Sequence, residues 1–237
     1  MCYRKNCTYK KLPPINLRID GHQMQPSQNV RNLGVVFDRH ASMETQVKSV
    51  CRSAYVQLRR LRRIKKYLPR DSLETLVHAF VSSRLDYCNA LYLGIPQKQL
   101  SRLQLVQNCA ARLLAGANRR DHVTPLLESL HWLPIEQRIR FKILLLVFKA
   151  VNDIGPKYLC DLFSNYVPSR SLRSENQTLL VVPFTRSSLV RNCAFSFAGA
   201  KHFNNLLCFI KERFKGLFLF RECEQRFDHI FNKKDAL

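Results

Sequence analysis

The sequence predicts a mainly α-helical protein: a helical bundle with a small N-terminal β-hairpin and a short β or irregular segment near residues 165–192. Apolar residues recur every three or four positions over most of residues 42–151, which is the period of helices with one buried face. Alternation of apolar and polar residues, the β period, is found in the first 40 residues. The chain has 237 residues, of which 46% are hydrophobic, and this is enough for a folded core.

The first 40 residues are expected to form β structure. The run from Ile15 to Ile19 alternates apolar and polar residues, and the Asp20-Gly21 pair after it favours a hairpin turn. A second apolar strand is predicted from Val30 to Phe37, with Gly34 inside it. A ribbon of two or three strands is only marginally stable alone, so it must pack on the helices or on a protein part that is missing here.

The stretch from Ser42 to Leu68 predicts a long amphipathic helix. At 100° per residue its apolar residues form one stripe. Five basic residues fall within roughly 60° of one another on nearly the opposite side, and they are Lys48, Arg52, Arg59, Arg63 and Lys66. No acidic residue occurs from Gln46 to Arg70, and Pro69 ends the helix or follows it.

Cap and breaker residues predict the next two helices. Asp71 and Glu74 have the spacing of a capping box, which starts a helix that runs through Leu85. Another helix begins near Leu100 and ends near Gly116.

Two prolines mark the starts of two more helices. Thr124 is the expected cap, and Pro125 the first-turn proline, of a short helix to about Leu130. Pro134 opens a helix to Val151, whose middle is apolar all round and is therefore expected in the core.

The pattern changes after Ser164. Strands are predicted at residues 179–182 and 187–191, and a helix is predicted from Phe195 onward. We therefore divide the chain into a β-ribbon (1–40), a helical domain (41–164) and a C-terminal extension of mixed irregular, β and helical structure (165–237).

The charge is strongly positive and unevenly distributed. The net charge is +22, with a balance of +16 on residues 1–120 and +6 on residues 121–237. This favours a polyanionic partner, nucleic acid first and an anionic membrane surface second. No apolar run is long enough to span a membrane, and Met1 to Lys5 lacks the apolar core of a secretory signal. We expect an intracellular protein, nuclear or cytoplasmic.

The sequence carries no motif of catalysis, cofactor binding or metal binding. Nine scattered cysteines include no C-x-x-C pair, which favours reduced thiols over a metal site. The clustered carboxylates that would hold two metal ions are absent, and so are a phosphate-binding loop and a nucleophile elbow. His122 and His131 flank a short helix and are expected to be structural. We therefore expect no catalytic residue, no cofactor and no enzyme activity.

The basic stripe of the Ser42–Leu68 helix is the positive indication of function. Five or more cations on one face would neutralise phosphates with little sequence preference and with steep salt dependence. Tyr55 and Tyr67 lie near the stripe and are suited to stacking on bases. The alternative is a solvated helix face, but such faces generally carry acidic partners four residues away.

Several stretches resemble one family, the reverse transcriptases of LINE-type, jockey-like non-LTR retrotransposons. The segment from Val30 to Asp38 resembles the end of the palm in that family. Residues 84–89, 103–112 and 130–138 resemble the region beyond the palm, and residues 197–201 a later piece of it. The likeness covers roughly residues 13–205, while residues 1–12 and the chain after Lys201 depart from the family pattern.

The resemblance implies a thumb-like role for the helical domain, with residues 1–40 as a palm-end remnant. In that family the thumb packs on the template–primer duplex, which implies contact with RNA or an RNA–DNA hybrid. The catalytic aspartates have no counterpart here, so the resemblance implies a non-catalytic fragment whose palm and fingers would be a separate polypeptide. Two alternatives remain: a helical protein-interaction module, and a non-functional retrotransposon relic.

Overall fold

A computed structural model describes residues 17–19, 22–24, 27–168, 179–184 and 194–206. Two antiparallel hairpins pair β1 (Leu17–Ile19) with β2 (His22–Met24) and β3 (Asn29–Asn32) with β4 (Val35–Asp38). The α-helices that follow are α1 (Glu44–Ile64), α2 (Arg70–Val77), α3 (Ser83–Asp86), α4 (Gln97–Ala115), α5 (Thr124–Ser129), α6 (Ile135–Val151), α7 (Lys157–Cys160) and α8 (Phe195–Asn204). The predicted mainly α-helical class is confirmed.

The predicted second strand is a hairpin, and its prediction as one strand was wrong. Leu33 and Gly34 both have positive φ angles, 47° and 82°, and form the two-residue turn between β3 and β4. A turn with two positive φ angles matches the twist of paired strands, and glycine adopts its second position without strain. The Tyr87 hydroxyl donates a hydrogen bond to the Leu33 carbonyl, which holds the turn against the end of α3.

The chain enters α1 through a hydrogen-bonded turn around Asp38. One carboxylate oxygen accepts hydrogen bonds from the backbone N–H groups of His40 and Ser42, at 3.0 and 2.8 Å. The other accepts a bond of 2.8 Å from the Ser42 hydroxyl. Partial burial alone would raise the pKa of Asp38, but the hydrogen bonds from Ser42, His40 and Glu44 outweigh burial, so the pKa lies below its ordinary value.

The next helical segment runs without a break from α2 through a π-helical turn (His78–Ser82) into α3. Its predicted capping box at Asp71 is not formed. Pro69 is the residue that precedes the first helical position, and its carbonyl accepts the Leu73 N–H at 3.1 Å. Asp71 therefore lies inside the first turn, where its carboxylate still complements the helix dipole.

The remaining predicted boundaries are largely confirmed. Gly116 follows α4 with a φ of 68°, the left-handed conformation that commonly ends helices. Pro134 immediately precedes α6, as expected. Thr124 is the first residue of α5 and not its cap, because Val123 occupies the cap position with helical backbone angles.

The core consists of two clusters joined by α6. The first cluster contains the inner faces of α1, α2, α4 and α5 together with Val35 of β4. The second contains Ile143, Leu144 and Val147 of α6, with Leu180 and Phe203. The α6 helix contributes its first half to one cluster and its second half to the other, as its apolar sequence predicted. Side chains before residue 41 and after residue 164 thus share these clusters, and the proposed division into three domains stays a prediction.

Two hydrogen bonds of the Asn204 side-chain amide join the segment 179–184 to α8. The Asn204 side chain accepts a hydrogen bond from the Leu180 N–H and donates one to the Leu180 carbonyl, both at 2.8 Å. Where a strand was predicted at 179–182, the described residues form one isolated antiparallel bridge, between Asn165 and Leu180. The strand predicted at 187–191 lies outside the described residues.

The packing of α8 on α6 depends on Gly199. A Cβ atom at this position would lie 2.8 Å from Val147 Cγ2 and 3.2 Å from Phe163 Cζ, closer than carbon atoms pack. We expect Gly199→Ala to lower the free energy of unfolding by about 1–3 kcal/mol, because overpacking outweighs the helix propensity gained from alanine. Urea denaturation of the full chain measures this. Gly155→Ala is the matched control, because its nearest contact would be an ordinary 3.6 Å. Equal stability of Gly199→Ala and wild type would contradict the packing.

The Asp38 turn makes a pH-dependent contribution to stability. Because the pKa is lower in the folded state, the stabilisation is present above the unfolded-state pKa and is lost as the pH falls through the folded-state pKa. We expect Asp38→Asn to cost about 1–3 kcal/mol at pH 7 and progressively less as the pH falls towards that value. Denaturation curves at pH 7 and pH 3 test this, with Asp161→Asn as the exposed control. A cost that does not change with pH would show that the ionised carboxylate is not responsible.

Candidate nucleic-acid interface

The outer face of α1 is exposed along its whole length because the inner face is fully used in packing. Val47, Ala54 and Leu58 are buried in the first core cluster. The Gln46 side chain, also buried, accepts a 2.9 Å hydrogen bond from the Val36 N–H and so fixes β4 on the same side. The helix therefore cannot rotate its polar face inward, and the predicted cations are held towards solvent.

All five predicted site residues are exposed. Arg52, Arg59 and Arg63 make no ion pair with any described residue, so their charges are available to a ligand. Lys48 differs, because its ammonium lies 2.9 Å from the Glu44 carboxylate one turn earlier. Its charge is partly compensated, and it contributes less to the potential of this face than the three arginines.

Lys66 lies beyond the end of α1, in a 3-10 turn of residues 65–67. The tighter turn advances each residue by about 120° instead of 100°, which displaces Lys66 by only about 40° and keeps it within the stripe. Its ammonium lies 4.7 Å from the centre of the Tyr67 ring. Tyr67 is 74% exposed, so this cation–aromatic pair extends the face past the helix end.

Sequence reasoning missed Arg62. It is exposed in the last turn of α1, about 40° from Lys48 on the side opposite to Arg63. The helical period of about 100° per residue already places Arg62 beside the predicted cations. With Arg62 included, the exposed cations cover an arc of about 100° of the helix surface.

Tyr55 lies within this arc and is 40% exposed. Burial of the rest of the side chain raises the pKa of its hydroxyl, and the neighbouring thiols Cys109 and Cys51 raise it further. The phenol is therefore neutral across the physiological range. Its position beside Cys109 places an aromatic ring between α1 and α4, next to the arginines.

Lys65 contacts α4 and does not belong to the exposed cationic face. Its ammonium donates a 2.6 Å hydrogen bond to the Leu113 carbonyl in the last turn of α4. A cation at a helix C-terminus satisfies an unpaired carbonyl and complements the helix dipole. Since Tyr55 meets Cys109 and Lys65 meets Leu113, α1 and α4 run side by side in the same direction.

The described residues contain no group of three His, Cys, Asp or Glu side chains that could hold a metal ion. Cys51, Cys88, Cys109 and Cys160 are free thiols. Among the described helices, none has the length and apolar character that crossing a bilayer requires.

Comparison of the chain with protein-family models, with curated proteins and with solved structures finds no match in any of the three.

Lys65 is bonded to α4 and Lys66 is exposed, and this difference can be tested through the free energy of unfolding. We expect Lys65→Met to lower the free energy of unfolding by about 1–2 kcal/mol, because the Leu113 carbonyl loses its charged donor. Lys66→Met is the matched control, and should change stability by less than about 0.5 kcal/mol because the side chain is exposed. Equal effects in urea denaturation would contradict the inward position of Lys65.

Proposed function

We propose that the chain binds RNA or an RNA–DNA hybrid through the outer face of α1, as a non-catalytic fragment of a non-LTR retrotransposon reverse transcriptase. The observation that carries this proposal is the set of exposed cations on one helix face, with a single acidic partner at Glu44. A solvated surface helix normally alternates charges of both signs. This face instead carries six cations and one acidic residue, Glu44, and a polyanion is the partner that such a face attracts.

The dimensions of the face fit a nucleic-acid backbone. From Lys48 to Lys66 the helix rises about 27 Å, at 1.5 Å per residue. That length corresponds to about eight phosphates of one strand, at 3.4 Å of helix axis each. Arginines predominate, and their planar guanidinium groups bind phosphate oxygens in bidentate fashion.

Tyr55 and Tyr67 add a second type of contact. Both rings are partly or largely exposed, and both lie beside cations of the face. Stacking on an aromatic ring is tolerant of sequence, because every base has a flat face. The expected binding is therefore strong at low salt and weakly selective for sequence.

The resemblance to reverse transcriptases supports a duplex as the ligand. Apart from Val30–Asp38, which resembles the end of the palm, the segments that resemble the family lie beyond the palm, so template–primer contact without catalysis is the corresponding activity. A separate palm and fingers polypeptide would be the protein partner of such a fragment.

A second candidate is a protein-interaction module. It is favoured by large apolar side chains that are exposed beyond α6, among them Tyr158, Val167 and Phe184. An interaction that survives both nuclease treatment and charge reversal of α1 would support this candidate. If the purified chain aggregates and binds neither nucleic acid nor a protein partner, the result would instead favour a non-functional retrotransposon relic.

Charge reversal tests the proposed interface. We expect the variant with Arg52, Arg59, Arg63 and Lys66 all changed to Glu to bind an RNA–DNA hybrid at least about a hundredfold more weakly at 100 mM salt, because four phosphate contacts become repulsive. Fluorescence anisotropy with a labelled hybrid measures the affinity.

The matched control reverses four exposed cations elsewhere, namely Lys98, Arg119, Arg120 and Lys157. Both variants have the same net charge, so a general electrostatic effect would weaken them equally. Equal loss in the two variants, or undamaged binding in the α1 variant, would contradict the assignment to this face.

A further inference from the structure

A cleft of about 410 Å³ opens between the π-helical turn, α3 and the start of α6. It contains no residue of α1, so it is separate from the basic face. Its lining combines aromatic and charged side chains, among them His78, Asp86, Asn89, Trp132, Arg138 and Lys142. The volume falls within the range of small-ligand sites, roughly 300–1,000 Å³.

The cleft is held open by hydrogen bonds between segments that are far apart in sequence. Gln107, 2% exposed, donates a 2.7 Å bond to the Leu133 carbonyl, and Gln104 accepts one of 2.9 Å from the Ile135 N–H. The Arg138 guanidinium donates to the same Leu133 carbonyl and lies 2.7 Å from the Asp86 carboxylate. The wall formed by residues 130–135 is therefore fixed before any ligand binds.

Three polar groups of the cleft are not used by the fold. Asn89 is only 6% exposed, yet its Oδ1 accepts no hydrogen bond from any described residue. Oδ1 has less than 1 Å² of exposed surface in the empty cleft, so a ligand donor reaches it after a rotation of the Asn89 side chain, and pairing it recovers the free energy that an unpartnered buried acceptor costs. The Lys142 ammonium, one helical turn beyond Arg138, makes no ion pair with a described residue. Arg138 uses Nε and Nη1 for Leu133 and Asp86, and keeps Nη2 for a further acceptor.

The aromatic side of the cleft is also fixed. The rings of Trp132 and His78 meet edge to face, with centroids 5.4 Å apart and planes at 68°. His78 begins the π-helical turn, a rare backbone form that is frequent at functional sites. Phe141 lies on the α6 side of the cleft. A flat ring entering the cleft would meet mainly the exposed His78 ring and the half-buried Phe141 ring, because Trp132 is only 7% exposed.

We propose that this cleft binds a nucleoside 5′-phosphate, free or at the end of a strand. Lys142 and Arg138 Nη2 bind the phosphate, the aromatic rings contact the base, and Asn89 Oδ1 accepts a hydrogen bond from a base amino or imino group. A metal ion does not fit as well, because the one carboxylate of the cleft is already paired with Arg138. A wholly apolar ligand would leave the Lys142 charge and the Asn89 amide without partners.

Trp132 provides the measurement, because it is the one tryptophan of the 237-residue chain. We expect AMP, GMP, CMP or UMP to change its fluorescence saturably, with affinity in the micromolar to millimolar range for at least one base. The free nucleoside and inorganic phosphate should each bind at least tenfold more weakly. Equal effects of inorganic phosphate and nucleotide would reduce the cleft to an adventitious anion site and overturn the proposal. A 5′-phosphorylated dinucleotide that binds at least tenfold more tightly than the mononucleotide would identify the end of a strand as the ligand.

Two variants test the assigned contacts. Lys142→Ala should weaken binding about tenfold, whereas Lys157→Ala, a matched exposed lysine outside the cleft, should not change it. Asn89→Leu should also weaken binding about tenfold without lowering the free energy of unfolding, since the amide oxygen has no partner in the fold. No saturable fluorescence change up to 10 mM of any nucleotide, about the weakest affinity of interest, or full affinity of both variants, would overturn the proposal.

The proposal for the cleft and the proposal for the α1 face can be tested independently. The variant of α1 with four charges reversed should keep full nucleotide affinity in the fluorescence titration. Loss of hybrid binding together with retained nucleotide binding would support both assignments. Loss of both in that variant would show that the cleft does not bind nucleotide on its own.

Discussion

The burial of one face of α1 is the constraint on which the rest of the structure depends. Val47, Ala54 and Leu58 lie in a core that the hairpin β3–β4, the α2–α3 segment and α4 all share. Polar contacts fix the same orientation, since Gln46 holds β4 and Ser53 accepts a hydrogen bond from Arg84 of α3. Because the inner face packs against the hairpin, the α2–α3 segment and α4, the arginines of the outer face remain exposed to solvent in a row along the helix. The proposed binding surface is thus a consequence of core packing, and its cations need no partners of their own to hold them there.

A second organising centre lies where residues 130–135 join the bundle. Here the fold uses polar contacts: Gln107 and Arg138 donate hydrogen bonds to the Leu133 carbonyl in the loop before α6, and Gln104 accepts one from the N–H of Ile135, the first residue of α6. Buried side-chain amides that hydrogen-bond a backbone carbonyl specify one loop conformation at little net cost in free energy. Three stretches that are distant in sequence, 84–89, 103–112 and 130–138, all contribute to this centre.

The local features of the sequence predicted the helices and the exposure of the α1 cations well, and predicted contacts between distant segments poorly. The α1 helix and its cations follow from a period of 3.6 and a lack of acids, and Gly116 and Pro134 mark their helix ends correctly. Gly34 was placed inside a strand because the apolar Leu33 before it gives no turn signal. Asp71 has capping-box spacing, yet the backbone of Pro69 starts the helix earlier. The cleft could not be predicted at all, since three of the hydrogen bonds that build it join residues 26 to 52 positions apart.

The central claim is that unpaired cations of α1 bind the phosphates of a nucleic acid. The most direct measurement is the affinity of the wild-type chain for an RNA–DNA hybrid over a series of salt concentrations. Each neutralised phosphate contributes about −0.9 to the slope of log K against log salt concentration, so four to six contacts predict a slope of about −4 to −5. A slope in this range agrees with the row of Arg52, Arg59, Arg62, Arg63 and Lys66. A slope near zero, or no binding at 50 mM salt, would contradict it.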